Sequence, residues 1–216
     1  MKNRQEYLLR SSFAFLFFVM LGYTVQFYPE TLVSFDKSIQ ETIRGTLPER
    51  ATYFFRAITY MGNVSTQIAV VVIVTILLFL KKWKAEALFF LSNGVLAGLL
   101  ISGFKLIYQR ARPTLEHIVY AGGFSFPSGH AMGSFIIYGA ILLILLNRFQ
   151  HKTIRLILIL AFSSLILLIG LSRIYLGVHY PTDVIGGFTF AYGVLNLLYP
   201  FYMKKRFEWR FQSKQK

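Results

Sequence analysis

The chain has 216 residues, of which 55% are hydrophobic and 17% aromatic, and its mean hydropathy is +0.54. This composition is too apolar for an ordinary soluble domain, and the length fits a single domain, residues 1–216, built as one compact bundle. The absence of cysteine excludes disulfides and thiolate metal sites. A net charge of +14 would suggest nucleic acid in a soluble protein. Here the charges flank apolar runs and no nucleic-acid-binding motif is present, so topology signals and contacts with anionic lipid explain them better.

Six apolar stretches approach the length needed to cross a bilayer, at residues 11–28, 64–80, 87–104, 131–146, 154–171 and 184–203. Lipid offers no hydrogen-bond partners to the backbone, so each stretch is predicted to be a helix. This predicts an all-α polytopic membrane protein with six transmembrane helices. The first stretch follows basic residues, as a signal peptide does, but the sequence at 25–28 is too bulky for a cleavage site. We therefore predict a retained first span.

The basic residues cluster at alternate ends of these stretches. Most of the 23 lysines and arginines fall on one side of the membrane, in the segments 2–10, 81–84, 148–155 and 204–216. The positive-inside rule then places both termini in the cytoplasm. The connections on the other side would face outward from the cell membrane.

The segment 31–56, between the first two spans, is polar with scattered apolar residues. Its apolar positions recur at helical spacing, with polar residues opposite them. This pattern predicts a short amphipathic helix on the extracytoplasmic surface, or alternatively an ordered loop packed over the bundle. The apolar positions are Leu32, Phe35, Ile39 and Ile43, and the polar ones are Asp36, Lys37, Gln40 and Glu41.

Three blocks of polar residues lie beside apolar runs on the predicted outward face, and the middle one is Pro127-Ser128-Gly129-His130. Ser128 stands where the fourth span begins, and the free amides and dipole of a helix start favour an anion there. Gly129 leaves its amide open to an approaching oxygen, and His130 lies in the first turn. Helix capping alone also explains Ser128, so this block is a weak indication by itself.

The first block, Lys105-x6-Arg112-Pro113, closes the third span. Either cation alone is explained by snorkelling to the membrane surface. Their outward position runs against the charge bias, however, and cations that converge on one anion neutralise a phosphate. Arg110 is a further candidate, for which we prefer the snorkelling interpretation.

The third block, Ser172-Arg173-x5-His179-x3-Asp183, joins the fifth span to the sixth. Asp183, early in the sixth helix, either complements the helix dipole or accepts a hydrogen bond from His179. The second arrangement would fix the histidine tautomer and leave the other ring nitrogen free. The remaining histidines are interpreted as ordinary interfacial residues, His117 and His151.

In this order and spacing, the three blocks resemble the motifs of the type 2 phosphatidic acid phosphatase family, also called lipid phosphate phosphatases. The resemblance covers residues 105–183 by motif and the whole chain by its six-span layout. It implies a membrane phosphatase that acts on lipid phosphates. Among bacterial members, the chain is most similar to phosphatases of phosphatidylglycerol phosphate and of undecaprenyl pyrophosphate.

The resemblance also implies a role for each motif residue. His179 attacks phosphorus to form a phosphohistidine, Asp183 orients His179, and His130 protonates the leaving oxygen and later activates water. The phosphate is held by the other motif residues, Lys105, Arg112, Ser128, Gly129 and Arg173. No cofactor is implied, and a site with one carboxylate among cations is unsuited to Mg²⁺.

We therefore expect a metal-independent hydrolase that removes the terminal phosphate of a membrane lipid at the outer leaflet, with phosphatidylglycerol phosphate as the leading substrate. Undecaprenyl pyrophosphate, phosphatidic acid and diacylglycerol pyrophosphate are alternatives that the sequence does not separate. A lipid phosphotransferase would share the phosphohistidine but pass it to another acceptor. A transporter, in which intramembrane charges mark a ligand path, is the alternative from another class of protein. The expected partners are lipid substrate and bilayer, and the oligomeric state cannot be read from the sequence.

Overall fold

The computed structural model describes residues 4–212, apart from the side chains of residues 210 and 212, and every regular element in this range is a helix. Three lysines used to predict orientation lie outside the described residues, Lys2, Lys214 and Lys216. The helices are α1 (Arg4–Phe27), α2 (Glu30–Arg44), α3 (Glu49–Thr59), α4 (Val64–Leu80), α5 (Lys84–Tyr108), α6 (Gly129–Leu146), α7 (Lys152–Tyr175) and α8 (Pro181–Gln212). A 3-10 turn, Tyr60–Gly62, joins α3 to α4.

Within the described residues, five helices are long and apolar enough to cross a membrane alone, namely α1, α5, α6, α7 and α8. A sixth candidate span is the pair α3 and α4, which bend by 49° at the 3-10 turn. The 17 residues of α4 alone rise by about 26 Å, slightly less than the roughly 30 Å of a hydrocarbon core. The prediction of an all-α membrane protein with about six spans is confirmed.

The centre of the bundle is formed by α6 and α8. Helix α6 packs against α5, α7 and α8, and α8 also packs against α1. In the most apolar 18-residue stretch of each helix, 56% of the residues of α6 are buried but only 17% of those of α7. Helix α7 therefore presents most of its surface to lipid. The motif blocks that flank α6 and α8 are therefore held by the best-packed helices.

A glycine sets the close approach of α8 to the start of α6. A β-carbon at Gly187 would lie 3.0 Å from the carbonyl oxygen of Ser128 and 3.1 Å from the amide of Met132, so a larger residue would push the helices apart. At the same crossing the Ser128 amide donates to the Asp183 carbonyl at 3.0 Å. The backbones of the second and third motif blocks are thus joined directly.

The segment predicted to hold an amphipathic helix forms two helices, α2 and α3. Helix α2 is amphipathic, but it buries its polar residues Asp36, Gln40 and Arg44, while Val33 and Phe35 remain 59% and 46% exposed. This orientation follows from the surroundings, because a membrane protein has lipid outside and a polar site inside. Helix α2 is therefore a wall of that site and does not simply lie over the bundle.

A buried ionic cluster joins the helices at the opposite end of the bundle. The Glu86 carboxylate accepts from Arg148 at 2.5 Å and from Arg206 at 3.0 Å, and its residue is 3% exposed. Arg206 also donates to the carbonyl of Asn147, and the Arg148 guanidinium lies 3.8 Å from the centroid of the Trp83 ring. The cluster ties α5 to α8 and to the connection between α6 and α7.

Replacing Glu86 with glutamine should destabilise the protein by about 3 kcal/mol, because the buried Arg206 and the partly buried Arg148 then lose their counter-charge. Thermal unfolding in detergent measures this loss. The matched control is Glu208→Gln, which removes a partly exposed carboxylate near the exposed Lys204 and Lys205 and should change stability little. Equal unfolding temperatures for the two variants would contradict the assignment of the Glu86 cluster as a structural core.

Candidate active site

All three polar blocks meet at one end of the bundle. Lys105 lies in the last turn of α5, Ser128 caps α6, Arg173 lies in the last turn of α7, and Asp183 lies in the first turn of α8. Two of the connections at this end, the loop 109–128 and the short segment 176–180, carry the motif residues that lie outside helices. Because antiparallel neighbours bring helix ends and helix starts together, one small volume contains residues from four helices and two loops.

The imidazole of His179 is fixed by the carboxylate of Asp183. Nδ1 of His179 lies 3.2 Å from Oδ2 of Asp183, which also accepts from the amide of Tyr180 at 2.9 Å. His179 is 2% exposed and Asp183 is fully buried. Because a carboxylate accepts hydrogen bonds, Nδ1 carries the ring hydrogen and Nε2 keeps its lone pair. Nε2 faces Nη1 of Arg112 at 3.2 Å.

The surroundings of His179 keep its ring neutral. Burial lowers the pKa of His179 well below its ordinary value of 6.5, and the charges of Arg173, Arg112 and Lys105 lower the pKa further. A neutral ring with a bare Nε2 has the protonation state of a nucleophile.

Arg112 is held rigidly by backbone carbonyls. Its Nη1 donates to the carbonyl of Val178 at 2.6 Å, and its Nε and Nη2 donate to the loop at Gly123 and Gly122, at 3.0 and 2.8 Å. This places a fixed positive charge beside Nε2 of His179. An arginine that is oriented in advance loses little entropy when an anion binds.

The start of α6 has the geometry expected of an anion-binding helix terminus. Oγ of the N-cap Ser128 accepts from the amide of Ala131 at 3.4 Å, a long hydrogen bond, and Ser128 is fully buried. Gly129 and His130 follow in the first turn, and Nε2 of His130 lies 2.9 Å from Oδ1 of Asn63, the residue before α4. The bent second span therefore touches the site through Asn63.

Two more cations complete the positive surroundings. Arg173 is 4% exposed and donates from Nη1 to Oγ1 of Thr59 at 2.6 Å, while its Nε has no partner among the residues that the structure describes. Lys105 is half-buried and within electrostatic range of Arg112 and Arg173. A buried donor without a partner is costly, and cations gathered together repel one another, so an anion would relieve both costs.

Arg110 is not a snorkelling side chain, and that prediction is wrong. The Arg110 side chain is only 11% exposed, donates to Oδ1 of Asp183 at 2.7 Å and to Oδ2 of Asp36 at 2.8 Å, and stacks over the ring of Tyr180 at 4.0 Å. Asp36 also accepts from the amide and the hydroxyl of Thr182, at 3.0 and 2.8 Å. Two buried carboxylates attract the guanidinium inward more strongly than water attracts it outward.

Sequence reasoning missed several residues that contact the site, Asp36, Thr59, Asn63 and Thr182. Another motif residue, Ser172, donates a hydrogen bond from its hydroxyl to the carbonyl of Ile169 within α7, at 2.6 Å.

The two histidines to which no role was assigned lie outside the site. His117 is exposed, with its Nε2 2.9 Å from the Pro113 carbonyl, and His151 is exposed immediately before α7.

Residues 86–207, more than half of the chain, match the family model of the PAP2 superfamily. The chain belongs to the PAP2 superfamily. The matched range contains all three polar blocks, so the resemblance noted from the motifs is confirmed at the level of the family.

Similar proteins within the PAP2 superfamily include several lipid phosphatases. Phosphatidylglycerophosphatase B of Bacillus subtilis is 31% identical over 177 residues, covering 81% of this chain and 86% of that protein. Undecaprenyl-diphosphatase BcrC of Bacillus subtilis is 37% identical over 102 residues, covering 44% and 48%. The crystal structure of a transmembrane PAP2-type phosphatidylglycerolphosphate phosphatase from Bacillus subtilis matches with a TM-score of 0.82 at 27% identity, covering 90% of this chain and 96% of that one.

Replacing Arg110 with glutamine should lower the kcat of this PAP2 protein about 10–100-fold and change KM little, because Asp183 loses its anchor and a small displacement of His179 is costly. Arg110→Lys should recover part of the rate. Steady-state phosphate release measures both effects.

The matched control for Arg110 is Lys37→Gln, which removes an exposed cation from α2 near Glu41. It should leave the rate unchanged. An Arg110→Gln variant that folds and keeps the wild-type kcat would show that the Arg110–Asp183 pair does not position His179.

Proposed function

We propose that this PAP2-superfamily lipid phosphatase hydrolyses the terminal phosphate of phosphatidylglycerol phosphate to give phosphatidylglycerol, through a phosphohistidine on His179. The observation that carries the proposal is the placement of His179, with Nδ1 3.2 Å from Oδ2 of Asp183 and Nε2 3.2 Å from Nη1 of Arg112. The choice of lipid is supported by the similarity to phosphatidylglycerophosphatase B and to the phosphatidylglycerolphosphate phosphatase structure. The whole chain serves as one membrane domain.

In the first step, Nε2 of His179 forms a bond to phosphorus while the bond from phosphorus to the lipid oxygen breaks. His130 gives a proton to the departing oxygen, a contribution typically worth about 10²–10⁴ in rate. The Asp183 carboxylate stabilises the positive charge that develops on the His179 ring. Lys105, Arg112 and Arg173 neutralise the equatorial oxygens.

In the second step, water attacks the phosphohistidine and the bond between nitrogen and phosphorus breaks. His130, left unprotonated by the first step, takes a proton from the water, which releases inorganic phosphate and restores both histidines. The phosphate is held throughout by the cations, the Ser128 hydroxyl and the Gly129 amide at the start of α6.

The reaction proceeds without a metal ion in this proposal. Three of the roughly four lone-pair positions of Asp183 already accept from Arg110, Tyr180 and His179. Among the described residues, no group of three or more His, Cys, Asp or Glu side chains could hold a metal ion. The surrounding lysine and arginines supply the charge that Mg²⁺ provides in other phosphoryl-transfer enzymes.

Both termini lie in the cytoplasm in this proposal, and the site faces the extracytoplasmic side, where it meets the lipid head group in the outer leaflet. The support is the distribution of basic residues. The clusters at 81–84 and 148–155 lie at the end of the bundle opposite the site, together with the end of α8.

Undecaprenyl pyrophosphate is the second candidate substrate, favoured by the similarity to undecaprenyl-diphosphatase BcrC. The same residues would act on either terminal phosphate, and also on phosphatidic acid or diacylglycerol pyrophosphate. A phosphotransferase would use the same first step and a different acceptor in the second.

Detergent-purified protein in EDTA should release inorganic phosphate from phosphatidylglycerol phosphate without an added acceptor, and His179→Ala should abolish the release. The control is His151→Ala, which removes an exposed histidine and should leave the rate unchanged. Undecaprenyl pyrophosphate is assayed in parallel to rank the two lipids.

EDTA-sensitive release would contradict the metal-free mechanism. A requirement for a lipid or sugar acceptor would replace hydrolysis with transfer. Activity that survives in His179→Ala would remove His179 as the nucleophile.

The low pKa of His179 predicts how the protein responds to acid. The unfolded chain binds the proton more readily than the folded one, so stability begins to fall as pH drops through the ordinary histidine pKa of about 6.5 and continues to fall below it. The nucleophilic form of the folded protein is lost only at a lower pH, where the folded ring itself takes up the proton. Nitrogen-15 NMR of labelled histidines, with His179→Gln for assignment, should show a mainly neutral His179 ring at about pH 6. A ring that is mainly cationic at that pH would contradict the prediction.

A further inference from the structure

A cavity of about 420 Å³ opens on the His130 side of the site, between the bend that joins α3 to α4 and the loop at 118–120. Its polar lining comes from Arg56, Thr59, Tyr60, Asn63, His130 and Arg173. His179 does not line it. The cavity therefore reaches the proposed phosphate site at His130 and Arg173.

Arg56 is the cation in this cavity that the proposed mechanism does not use. The Arg56 side chain is exposed, and its Nη2 donates to the carbonyl of Ile118 across the cavity at 3.2 Å. Among the described residues it forms no salt bridge, unlike Arg110, Arg148 and Arg206, which each pair with a buried carboxylate. No acidic residue lines the cavity. Its charge is therefore positive and uncompensated, which suits an anion.

The mouth of the cavity has the composition of a membrane interface. Tyr60 is 65% exposed and Tyr120 is 95% exposed, and tyrosines of this kind lie at the level of lipid head groups. Arg56, in α3, lies four residues before Tyr60, the first residue of the 3-10 turn, and both line the cavity. A lipid head group that enters here would meet Arg56 before it reaches His130 and Arg173.

We propose that the cavity is a subsite for a second phosphate of the lipid substrate, bound by Arg56, and that the enzyme favours lipids whose leaving group is itself an anion. This inference rests on the proposed function. In an in-line displacement by His179 the departing oxygen is protonated by His130, so the leaving group occupies the space that His130 lines.

The subsite separates the candidate substrates by their chemistry. The leaving group of phosphatidylglycerol phosphate is phosphatidylglycerol, which carries a phosphodiester. The leaving groups of undecaprenyl pyrophosphate and diacylglycerol pyrophosphate are phosphomonoesters. The leaving group of phosphatidic acid is diacylglycerol, which is neutral and has no phosphate for Arg56 to bind. The same catalytic residues would serve all of them, and Arg56 would distinguish between them.

The test compares kcat/KM for phosphatidylglycerol phosphate and for phosphatidic acid with purified full-length protein in mixed micelles. Arg56→Gln should lower kcat/KM for phosphatidylglycerol phosphate about tenfold, which is the effect of losing one partly exposed charge-assisted hydrogen bond. The same variant should leave kcat/KM for phosphatidic acid within about twofold of the wild-type value. Arg56→Lys should recover part of the loss. The matched control is Arg50→Gln, an exposed arginine on the same helix outside the cavity, which should affect neither lipid.

An equal loss of kcat/KM for both lipids in Arg56→Gln would show that Arg56 has a structural role and would overturn the subsite. An unchanged kcat/KM for both lipids would also overturn it. A wild-type enzyme that hydrolyses phosphatidic acid but neither phosphatidylglycerol phosphate nor undecaprenyl pyrophosphate would also overturn it. Failure of the proposed function is seen separately, as activity that persists in His179→Ala.

Discussion

The geometry of the site depends on the burial of one carboxylate, that of Asp183. A buried carboxylate is tolerated only when its oxygens are paired, and here one oxygen accepts from Arg110 while the other accepts from the Tyr180 amide and His179. Arg110 is in turn neutralised by Asp36. The ionic chain from Asp36 to His179 therefore links α2, the loop after α5 and the start of α8, and none of these can shift without exposing a buried charge.

This constraint explains the orientation of α2. A polar stripe that would face water in a soluble protein faces inward here, and Gln40 and Arg44 on that stripe donate to the carbonyls of His179 and Tyr175. On the other side of α2, Val33 and Phe35 remain exposed, while Leu32 and Ile43 at the edges of the stripe pack against the core. The helix thus contributes both a counter-charge and a backbone support to the segment that carries His179.

The sequence predicted the spans, the all-α class and the family, because hydrophobic length and motif spacing are local properties of the chain. Pairing between distant residues is not local. Asp36 and Arg110 are separated by 74 positions, and neither has a neighbouring pattern that marks it. Arg110 resembles any basic residue at the end of a span, and only the burial of two carboxylates beside it decides between snorkelling and a structural ion pair. Asn63 and Thr59 escape notice likewise, because the bend that brings them to the site is absent from the hydropathy pattern.

The two sides of the proposed phosphate site differ in rigidity, and the proposed reaction needs that difference. On the side of His179, Arg110 and the Tyr180 amide hold the Asp183 carboxylate, and the carbonyls of Val178 and Gly122 hold the guanidinium of Arg112. On the side of His130, the walls are a helix bend and a loop, lined by exposed tyrosines. An in-line displacement requires a nucleophile in a fixed position and an open path by which a bulky lipid can leave. Because the ion pairs lie on the side of His179, they fix the nucleophile and leave the path on the side of His130 open.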